Sequence, residues 1–169
     1  MASFDLAIPT VLLHEGGYTV DQGGPTNFGI SARWLRTLPQ WRQYDVDGDG
    51  VLGPADMRAL TRQQAIYLYR VYWWTPWMGQ LTSQAVATKL LDTDVNLGMS
   101  TGTKLLQKSV GVPTDGVFGP MTLAAVNAMP EDQVLAKYRA LEAARYRAIV
   151  AAHPDYAPDL TGWLNRARS

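Results

Sequence analysis

Apolar side chains recur at helical spacing along nearly all of this chain. The longest run extends from Pro130 to about Ala152, where apolar residues at steps of three and four form one face. Shorter runs predict helices over residues 31–38, 62–72, 83–95, 102–110 and 120–129. The segment 16–30 lacks this period, and its Gly, Asp and Pro content is typical of a loop with room for a short hairpin. We therefore expect a mainly α fold.

Residues that begin and end helices lie at the edges of these runs. Gly16 and Gly17 end a first helix whose start is ambiguous, because Pro9 either interrupts that helix or opens it. Thr61 and Gln64 are spaced as a capping box, which predicts that a helix begins directly after Thr61. These signals agree with the helical period and strengthen the prediction of the fold class.

The composition narrows the class of protein. The 169 residues carry 15 Lys and Arg against 15 Asp and Glu, and a net charge of zero argues against a protein that binds duplex DNA. The absence of cysteine excludes disulfides and thiol chemistry, and two separated histidines argue against a catalytic zinc site. No apolar run is long enough to span a membrane, and no secretory signal is recognisable, so we expect synthesis in the cytoplasm. We expect one compact domain, residues 1–169, with sub-regions 1–80 and 81–169.

Glu15 ends the first predicted helix and begins the most informative segment of the chain. The negative end of a helix dipole disfavours a carboxylate, and so favours the protonated form that a general acid in glycoside cleavage needs. The Gly-rich loop that follows could turn back and place Asp21 and Thr26 opposite this acid, where a carboxylate and a hydroxyl can hold a water molecule. A purely structural interpretation, a helix end followed by a turn, fits the same residues.

The run from Asp45 to Asp56 matches the twelve-residue EF-hand loop, with acids at positions 1, 3, 5 and 12 and glycine at position 6. The predicted ligands are Asp45, Asp47, Asp49, the main-chain carbonyl of Val51, and Asp56. Carboxylates crowded into so short a loop repel one another unless a cation joins them, which predicts one Ca²⁺ site. A solvated Asp-Gly turn is the alternative. Asp at position 12 and Gly at position 9 predict weak binding, about 10⁻⁵–10⁻³ M.

Several motifs together resemble glycoside hydrolase family 108, the N-acetylmuramidases of phages and bacteria. The first motifs are Glu15-Gly16-Gly17-Tyr18, Gly23-Gly24-Pro25-Thr26, Phe28-Gly29-Ile30 and Tyr72-Trp73-Trp74. The others resemble the peptidoglycan-binding half that is usually joined to that enzyme: Asp94 to Gly98, Leu106-Gln107, Asp115 to Pro120 and Gly162 to Arg166. The resemblance covers most of the chain. It implies a lysozyme-like helical fold in which Glu15 is the catalytic acid.

The resemblance also indicates weaker candidates for substrate binding, which are Tyr18, Trp73, Trp74, Asp94 and Asn96. Structural roles fit these residues as well. The loop between Tyr18 and Gly23 is shorter than the common family pattern, so the family aspartate that Asp21 represents is left open. Phage-type lysozymes, which hydrolyse with inversion, show the same order of Glu, Asp and Thr.

The resemblance implies an enzyme that cleaves the β-1,4 bond between N-acetylmuramic acid and N-acetylglucosamine in peptidoglycan. The leading hypothesis is a monomeric phage endolysin that acts on glycan strands in the periplasm and cell wall after its release. A lytic transglycosylase, which yields an anhydro sugar, and a non-catalytic calcium-dependent wall-binding module are the alternatives. The acidic loop carries four of the 15 acids, which leaves 15 bases against 11 acids elsewhere, and that mildly basic remainder suits an anionic cell wall.

Overall fold

The structure is a computed structural model that describes residues 1–21 and 23–169, and it confirms the mainly α fold. In the described part of the chain, the α-helices are α1 (Phe4–Glu15), α2 (Ala32–Leu35), α3 (Pro54–Ala59), α4 (Arg62–Tyr72), α5 (Gln84–Leu97), α6 (Met99–Val110), α7 (Pro120–Ala128), α8 (Glu131–Ala152) and α9 (Leu160–Arg168). The strands are β1 (Thr19–Asp21), β2 (Gly24–Asn27) and β3 (Ile30–Ser31), which form an antiparallel sheet in chain order. Short 3₁₀ helices lie at Trp41–Tyr44, Met78–Gln80 and Pro154–Asp159.

The contacts divide the chain into two compact units. The loop-rich unit is Pro9–Tyr72, and the helical unit is Met1–Ile8 together with Trp73–Ser169. The boundary at residues 72 and 73 differs from the division at residues 80 and 81 that the sequence suggests. The expectation of a single domain stays a prediction.

Helix boundaries follow the capping signals of the sequence. The Gln64 N–H donates to the Thr61 hydroxyl at 3.2 Å, and the Thr61 N–H donates to the Gln64 side-chain carbonyl at 2.8 Å, which completes the predicted capping box. Ser83 caps α5 by accepting from the N–H of Val86 at 3.0 Å. Pro9 lies inside α1 and does not open it. Local sequence therefore sets the starts of α4 and α5.

The loop-rich unit is built around the small sheet. The Ser31 hydroxyl ends β3 by accepting the N–H of Trp34, and this cap begins α2. Trp34 meets Tyr72 edge to face with ring centroids 5.3 Å apart. The buried core of this unit includes Val11, Ile30, Leu35, Leu38, Leu52, Met57, Leu60, Leu68 and Tyr69. The sheet is thus fixed between short helices, and its loops carry most of the candidate chemistry.

The helical unit packs α5, α6, α8 and α9 around an apolar core. The buried residues of this core include Met78, Leu81, Val86, Leu90, Leu106, Phe118, Val126, Val134 and Tyr138. The N-terminal segment joins the same unit, because the Ala2 N–H donates to the Leu81 carbonyl at 2.8 Å and the Ser3 N–H donates to Gln84 at 2.7 Å. Among the described residues, none of the helices combines the length and the apolar run that a membrane crossing requires.

Charged residues lie inside this apolar core. The Lys89 Nζ lies 2.7 Å from a carboxylate oxygen of Glu142 and donates to the main-chain carbonyl of Arg166 at 2.6 Å. The Arg166 guanidinium holds both carboxylate oxygens of Asp92, at 3.0 and 2.8 Å. All four side chains are at least nine-tenths buried. These pairs join α5, α8 and α9.

Candidate functional site

Glu15 is the last residue of α1 and is half-buried in the loop-rich unit. The helix stops there because Gly16 has a left-handed backbone with φ of 71°, a conformation that glycine adopts without strain. The carboxyl group therefore lies at the negative end of the helix dipole, as the sequence predicts.

Gly29 lies against the side chain of Glu15. A methyl group at position 29 would come within 2.6 Å of the Glu15 Oε2 atom and 2.7 Å of its Cγ, and it would collide with the hydroxyl of Tyr69. The backbone is also left-handed here, with φ of 50° at Phe28 and 75° at Gly29. Glycine is therefore required at position 29 for both its backbone and its lack of a side chain. The Phe28-Gly29 part of the sequence motif follows from this contact with Glu15.

Tyr69 of α4 belongs to the same group of residues, although no motif or spacing in the sequence points to it. Its side chain is buried, and its hydroxyl donates a 2.9 Å hydrogen bond to the main-chain carbonyl of Phe28. The same hydroxyl lies beside Gly29, next to the Glu15 carboxyl group. A tyrosine on the buried face of a predicted helix is the signal that could have identified it, because a buried hydroxyl requires a partner. The structure thus brings Glu15, Gly29 and Tyr69 together.

Asp21 and Thr26 lie on the paired strands β1 and β2. Thr26 is opposite Thr19 on one side and Ser31 on the other, so it occupies the middle strand of the sheet. Asp21 ends β1 at the exposed tip, where its carboxylate accepts a 2.7 Å hydrogen bond from the Gly23 N–H. The hairpin is therefore confirmed, and it holds these two polar residues at different places, one at its tip and one at its centre.

A buried asparagine connects the hairpin to α3. The side-chain amide of Asn27 donates to the main-chain carbonyls of Met57 at 2.8 Å and Leu60 at 3.4 Å. Asn27 directly follows Thr26, and α3 begins where the acidic loop ends. The position of the Thr26 strand therefore depends on the segment that leaves the acidic loop.

Tyr18 lies at the start of the hairpin and is half-buried. The guanidinium carbon of Arg58 lies 4.6 Å from the centre of its ring, which is a cation–π contact. The Tyr18 hydroxyl is shielded from solvent and has no hydrogen-bond partner in the described part of the chain. One face of this ring is thus occupied by Arg58. The role in substrate binding stays a prediction.

The acidic loop brings three of its predicted ligands together. Carboxylate oxygens of Asp45, Asp47 and Asp49 all lie within 4.8 Å of one another. Backbone N–H groups of the same loop hold them: Asp45 accepts from Gly48 at 2.9 Å and from Gly50 at 3.0 Å. Both glycines have positive φ, 73° and 83°, which lets the chain turn around the three carboxylates. Three carboxylates in this arrangement could hold a metal ion.

Asp56, the predicted ligand at position 12, is held differently from these three. Its side chain is 3% exposed, and its two oxygens accept from the N–H groups of Val46 and Gly53, each at 2.7 Å. Burial opposes ionisation of this carboxyl group, but the surrounding backbone N–H groups, led by those of Gly53 and Val46, together outweigh burial and hold its pKa below the usual range. Asp56 therefore closes the base of the loop and caps α3 from the inside. Val51 is exposed, and its N–H donates to Asp49 at 2.7 Å.

The remaining candidates lie in the helical unit. Trp74 meets Phe4 edge to face with centroids 5.7 Å apart and packs on the hydrophobic core, while Trp73 is half-buried. Asn96 is exposed and accepts a 2.8 Å hydrogen bond from the Tyr146 hydroxyl. Contact with a sugar stays a prediction for all three candidates, and for Trp74 the packing is that of a core residue.

Asp94 is 1% exposed and lies in the core of the helical unit. Its Oδ1 atom has no hydrogen-bond partner among the residues that the structure describes, and it lies against Gly102 of α6. Burial raises the pKa of Asp94 well above the usual range for a carboxyl group. The proposed substrate contact of Asp94 stays a prediction.

Comparison with known protein families identifies both halves of the chain. The model of the family described as Glycosyl hydrolase 108 matches residues 8–98, which include Glu15, the hairpin and the acidic loop. This chain belongs to glycosyl hydrolase family 108. A second model, described as Predicted Peptidoglycan domain, matches residues 101–168, which hold most of α6 and all of α7, α8 and α9.

A solved structure supports the same assignment over nearly the whole chain. The structure described as "Structure of Brucella abortus SagA" has a TM-score of 0.76 and 31% sequence identity to this chain, and the alignment covers 98% of this chain and 91% of that one. A search of curated proteins finds no match. The family 108 assignment makes this protein a glycoside hydrolase that acts on peptidoglycan, and the site around Glu15 lies within the residues that define it.

Proposed function

We propose that this family 108 enzyme hydrolyses the β-1,4 bond between N-acetylmuramic acid and N-acetylglucosamine, with Glu15 as its general acid. The observation that carries the proposal is the placement of Glu15 against Gly29 and beside Tyr69, at the end of a helix dipole. A chain that requires glycine at position 29 to make room for one carboxyl group holds that group in a defined place. Defined placement of the acid is what general acid catalysis depends on.

The proposed reaction needs a proton donor and an activated water. Glu15 donates its proton to the glycosidic oxygen as the bond from that oxygen to the anomeric carbon breaks, and the leaving sugar departs with a free hydroxyl. A water molecule then bonds to the anomeric carbon and gives its proton to a base. We assign Asp21 as this base and Thr26 as a hydroxyl that helps to hold the water, because both lie on the hairpin that begins shortly after Glu15.

The test is Glu15→Gln, which keeps the shape of the side chain and removes the proton. We expect the rate of sacculus lysis to fall by at least about 10²-fold with an unchanged melting temperature. Glu131→Gln is the matched control, since Glu131 is exposed on α8 and bonds only to the Ser83 hydroxyl among the described contacts. A Glu15→Gln enzyme with the lytic rate of the Glu131→Gln control would contradict the assignment.

Mass spectrometry of the released muropeptides identifies the reaction. Hydrolysis at the proposed bond gives reducing N-acetylmuramic acid ends. Anhydro ends would instead identify a lytic transglycosylase, which uses one acid and no water. A protein that binds sacculi but releases no products, with or without Glu15→Gln, would be a wall-binding module and would overturn the proposed catalysis. Asp21→Asn and Thr26→Ala are expected to lower the hydrolytic rate less than Glu15→Gln does.

We further propose that the acidic loop binds one Ca²⁺ through Asp45, Asp47 and Asp49, with the Val51 carbonyl and Asp56 completing the site. Support comes from the three carboxylates that lie within 4.8 Å of one another. The loop continues into α3, which holds Asn27 of the hairpin through its main chain. Ca²⁺ would therefore stabilise the hairpin that carries Thr26.

Calorimetric titration with CaCl₂ tests this site. We expect one site with a dissociation constant of about 10⁻⁵–10⁻³ M and a higher melting temperature with the ion bound. Asp45→Asn with Asp47→Asn should abolish both effects, whereas the exposed Asp132→Asn should preserve them. An unchanged titration in the double variant would reject the site, and an unchanged lytic rate after chelation would reject its link to the hairpin.

The proposed biological role is lysis of a bacterial cell by a phage endolysin. Cleavage of peptidoglycan by a family 108 enzyme supports this role. Expression in a bacterium together with a membrane-permeabilising holin should cause lysis, and expression of Glu15→Gln with the same holin should not. Lysis that is equal in the two strains would reject the role for this enzyme.

A further inference from the structure

A groove between α8 and α9 in the helical unit lies outside the site around Glu15 in sequence and has no role in the proposed reaction. It encloses about 370 Å³, enough for a peptide of two or three residues. Three arginines, Arg139, Arg147 and Arg168, line it together with small apolar residues that include Ala143 and Ala167. Arg139, Ala143 and Arg147 follow one another at steps of four on α8, so they lie along one face of that helix.

The charge of this groove is unbalanced. Its lining includes three guanidinium groups and no acidic side chain. Arg139 donates from one terminal nitrogen to the main-chain oxygen of Ser169 at 2.6 Å, and Arg168 donates to the side chain of Asn165 at 3.2 Å. Neither acceptor is an acidic side chain, and Arg147 and Arg168 are exposed, so the positive charge of these two guanidinium groups can attract an anion.

One donor in the groove lacks an acceptor. The Nε atom of Arg139 is shielded from solvent and has no hydrogen-bond partner among the described residues. A buried donor on a charged group that makes no hydrogen bond is costly, and such an atom indicates a missing acceptor. A carboxylate would supply that acceptor, because it pairs with a guanidinium through two parallel hydrogen bonds.

The shape and the charge together select the class of ligand. A neutral sugar offers no negative charge to three arginines, and the alanines on the groove floor suit methyl and methylene groups. Peptidoglycan contains both features in its stem peptides, which are short, rich in small side chains and carry free carboxylates. We propose that the groove between α8 and α9 binds the carboxylates of a peptidoglycan stem peptide. This inference rests on peptidoglycan as the substrate and does not depend on which glycosidic bond is cleaved.

Binding of a free stem tetrapeptide to the Glu15→Gln protein tests the proposal without hydrolysis. We expect saturable binding by calorimetry, weakened at least about tenfold by Arg147→Gln with Arg168→Gln, both of which are exposed positions. Arg145→Gln is the matched control, since Arg145 is exposed on the same helix and does not line the groove. Arg139→Lys keeps the charge but removes Nε, and should weaken binding as well. Equal affinity in the double variant and in the Arg145→Gln control would overturn the proposal.

A second measurement separates peptide binding from other contacts with the wall. Intact sacculi should retain the Glu15→Gln protein more strongly than sacculi from which an amidase has removed the stem peptides, and the double variant should lose this difference. Equal retention on both kinds of sacculi would overturn the proposal. Inorganic phosphate is a second probe of the groove. If Arg147→Gln with Arg168→Gln abolishes binding of phosphate but not of the peptide, the proposal is also overturned. If Glu15→Gln retains hydrolysis while these binding results hold, the proposed catalytic role fails and the peptide site stands.

Discussion

The exposed acids of the loop-rich unit and the buried ion-paired acids of the helical unit are held in opposite ways. In the loop-rich unit, Asp21, Asp45 and Asp49 accept hydrogen bonds from backbone N–H groups two to five residues away and remain close to solvent. In the helical unit, Asp92 is buried and pairs with Arg166, 74 residues away. The first arrangement leaves carboxylate oxygens available for a cation or a substrate. The second uses both carboxylate oxygens of Asp92 to hold α9 against α5.

This difference in burial changes what a substitution should do. Removing an exposed acid changes solvation and local turn geometry, which costs little stability. Removing one member of a buried pair leaves a charge without its partner in a medium of low polarity, which costs far more. Stability measurements on single variants can therefore test whether the two classes of acid are as different as the structure indicates.

The largest effect on stability is expected for Lys89→Met. Lys89 lies 2.7 Å from Glu142 and is 3% exposed, so its loss leaves the Glu142 carboxylate buried without a cation. We expect the free energy of unfolding to fall by about 3–5 kcal/mol, measured by urea denaturation at pH 7. Lys108→Met on the exposed side of α6 is the matched control and should cost little.

A double variant examines the cause of that loss. Lys89→Met with Glu142→Leu removes both charges and should recover much of the stability that Lys89→Met loses, because no unpaired charge remains. A loss from Lys89→Met as small as the loss from Lys108→Met would show that the buried pairs do not stabilise the helical unit.

The next largest effect concerns Glu15. Unlike Asp21, Asp45 and Asp49, it lies against a residue that is distant in the sequence. Its side chain lies against Gly29, and Gly29 has φ of 75°. Gly29→Ala should lower the free energy of unfolding by about 1–3 kcal/mol from backbone strain alone. It should also reduce the lytic rate more than that loss explains, because the added methyl group displaces the Glu15 carboxyl group.

Gly17→Ala is the matched control for this prediction. A methyl group at Gly17 would meet no atom within 4 Å, and its φ is not in the left-handed region. We expect nearly unchanged stability and lytic rate for Gly17→Ala. If Gly29→Ala keeps the full lytic rate, Glu15 is either not held by this contact or not the catalytic acid.

The difference between contacts of residues near in the sequence and contacts of residues far apart in it also explains what the sequence could predict. The capping box of Thr61 and Gln64 and the cluster of Asp45, Asp47 and Asp49 depend on residues a few positions apart, and each was predicted from its spacing. The position of Tyr69 beside Glu15 depends on how α4 packs on the sheet, and no local spacing encodes it. The pairing of Asp92 with Arg166 was missed for the same reason, because both are common surface residues until the fold buries them.

Asp94 is a buried acid with no ion-pair partner among the contacts of the described residues. Its substitution gives the smallest predicted effect on stability. Because burial raises its pKa well above the unfolded value of 3.8, the folded protein binds more protons than the unfolded chain once the pH exceeds that value. The contribution of Asp94 to the free energy of unfolding is therefore fully present below about pH 4, and it is lost as the pH rises. Asp94→Asn keeps the shape and removes the titration.

We expect Asp94→Asn to raise the melting temperature at pH 7 by roughly 2–4 °C, which corresponds to about 1 kcal/mol in a protein of this size, and to have no such effect at pH 3.5. The exposed Asp155→Asn serves as the control and should change neither value. The sign of the shift decides how Asp94 is held. A lower melting temperature for Asp94→Asn at pH 7 would mean that the Asp94 carboxylate is charged and stabilised in the core. A gain confined to neutral pH would instead mean that the helical unit tolerates this acid only because the acid stays protonated.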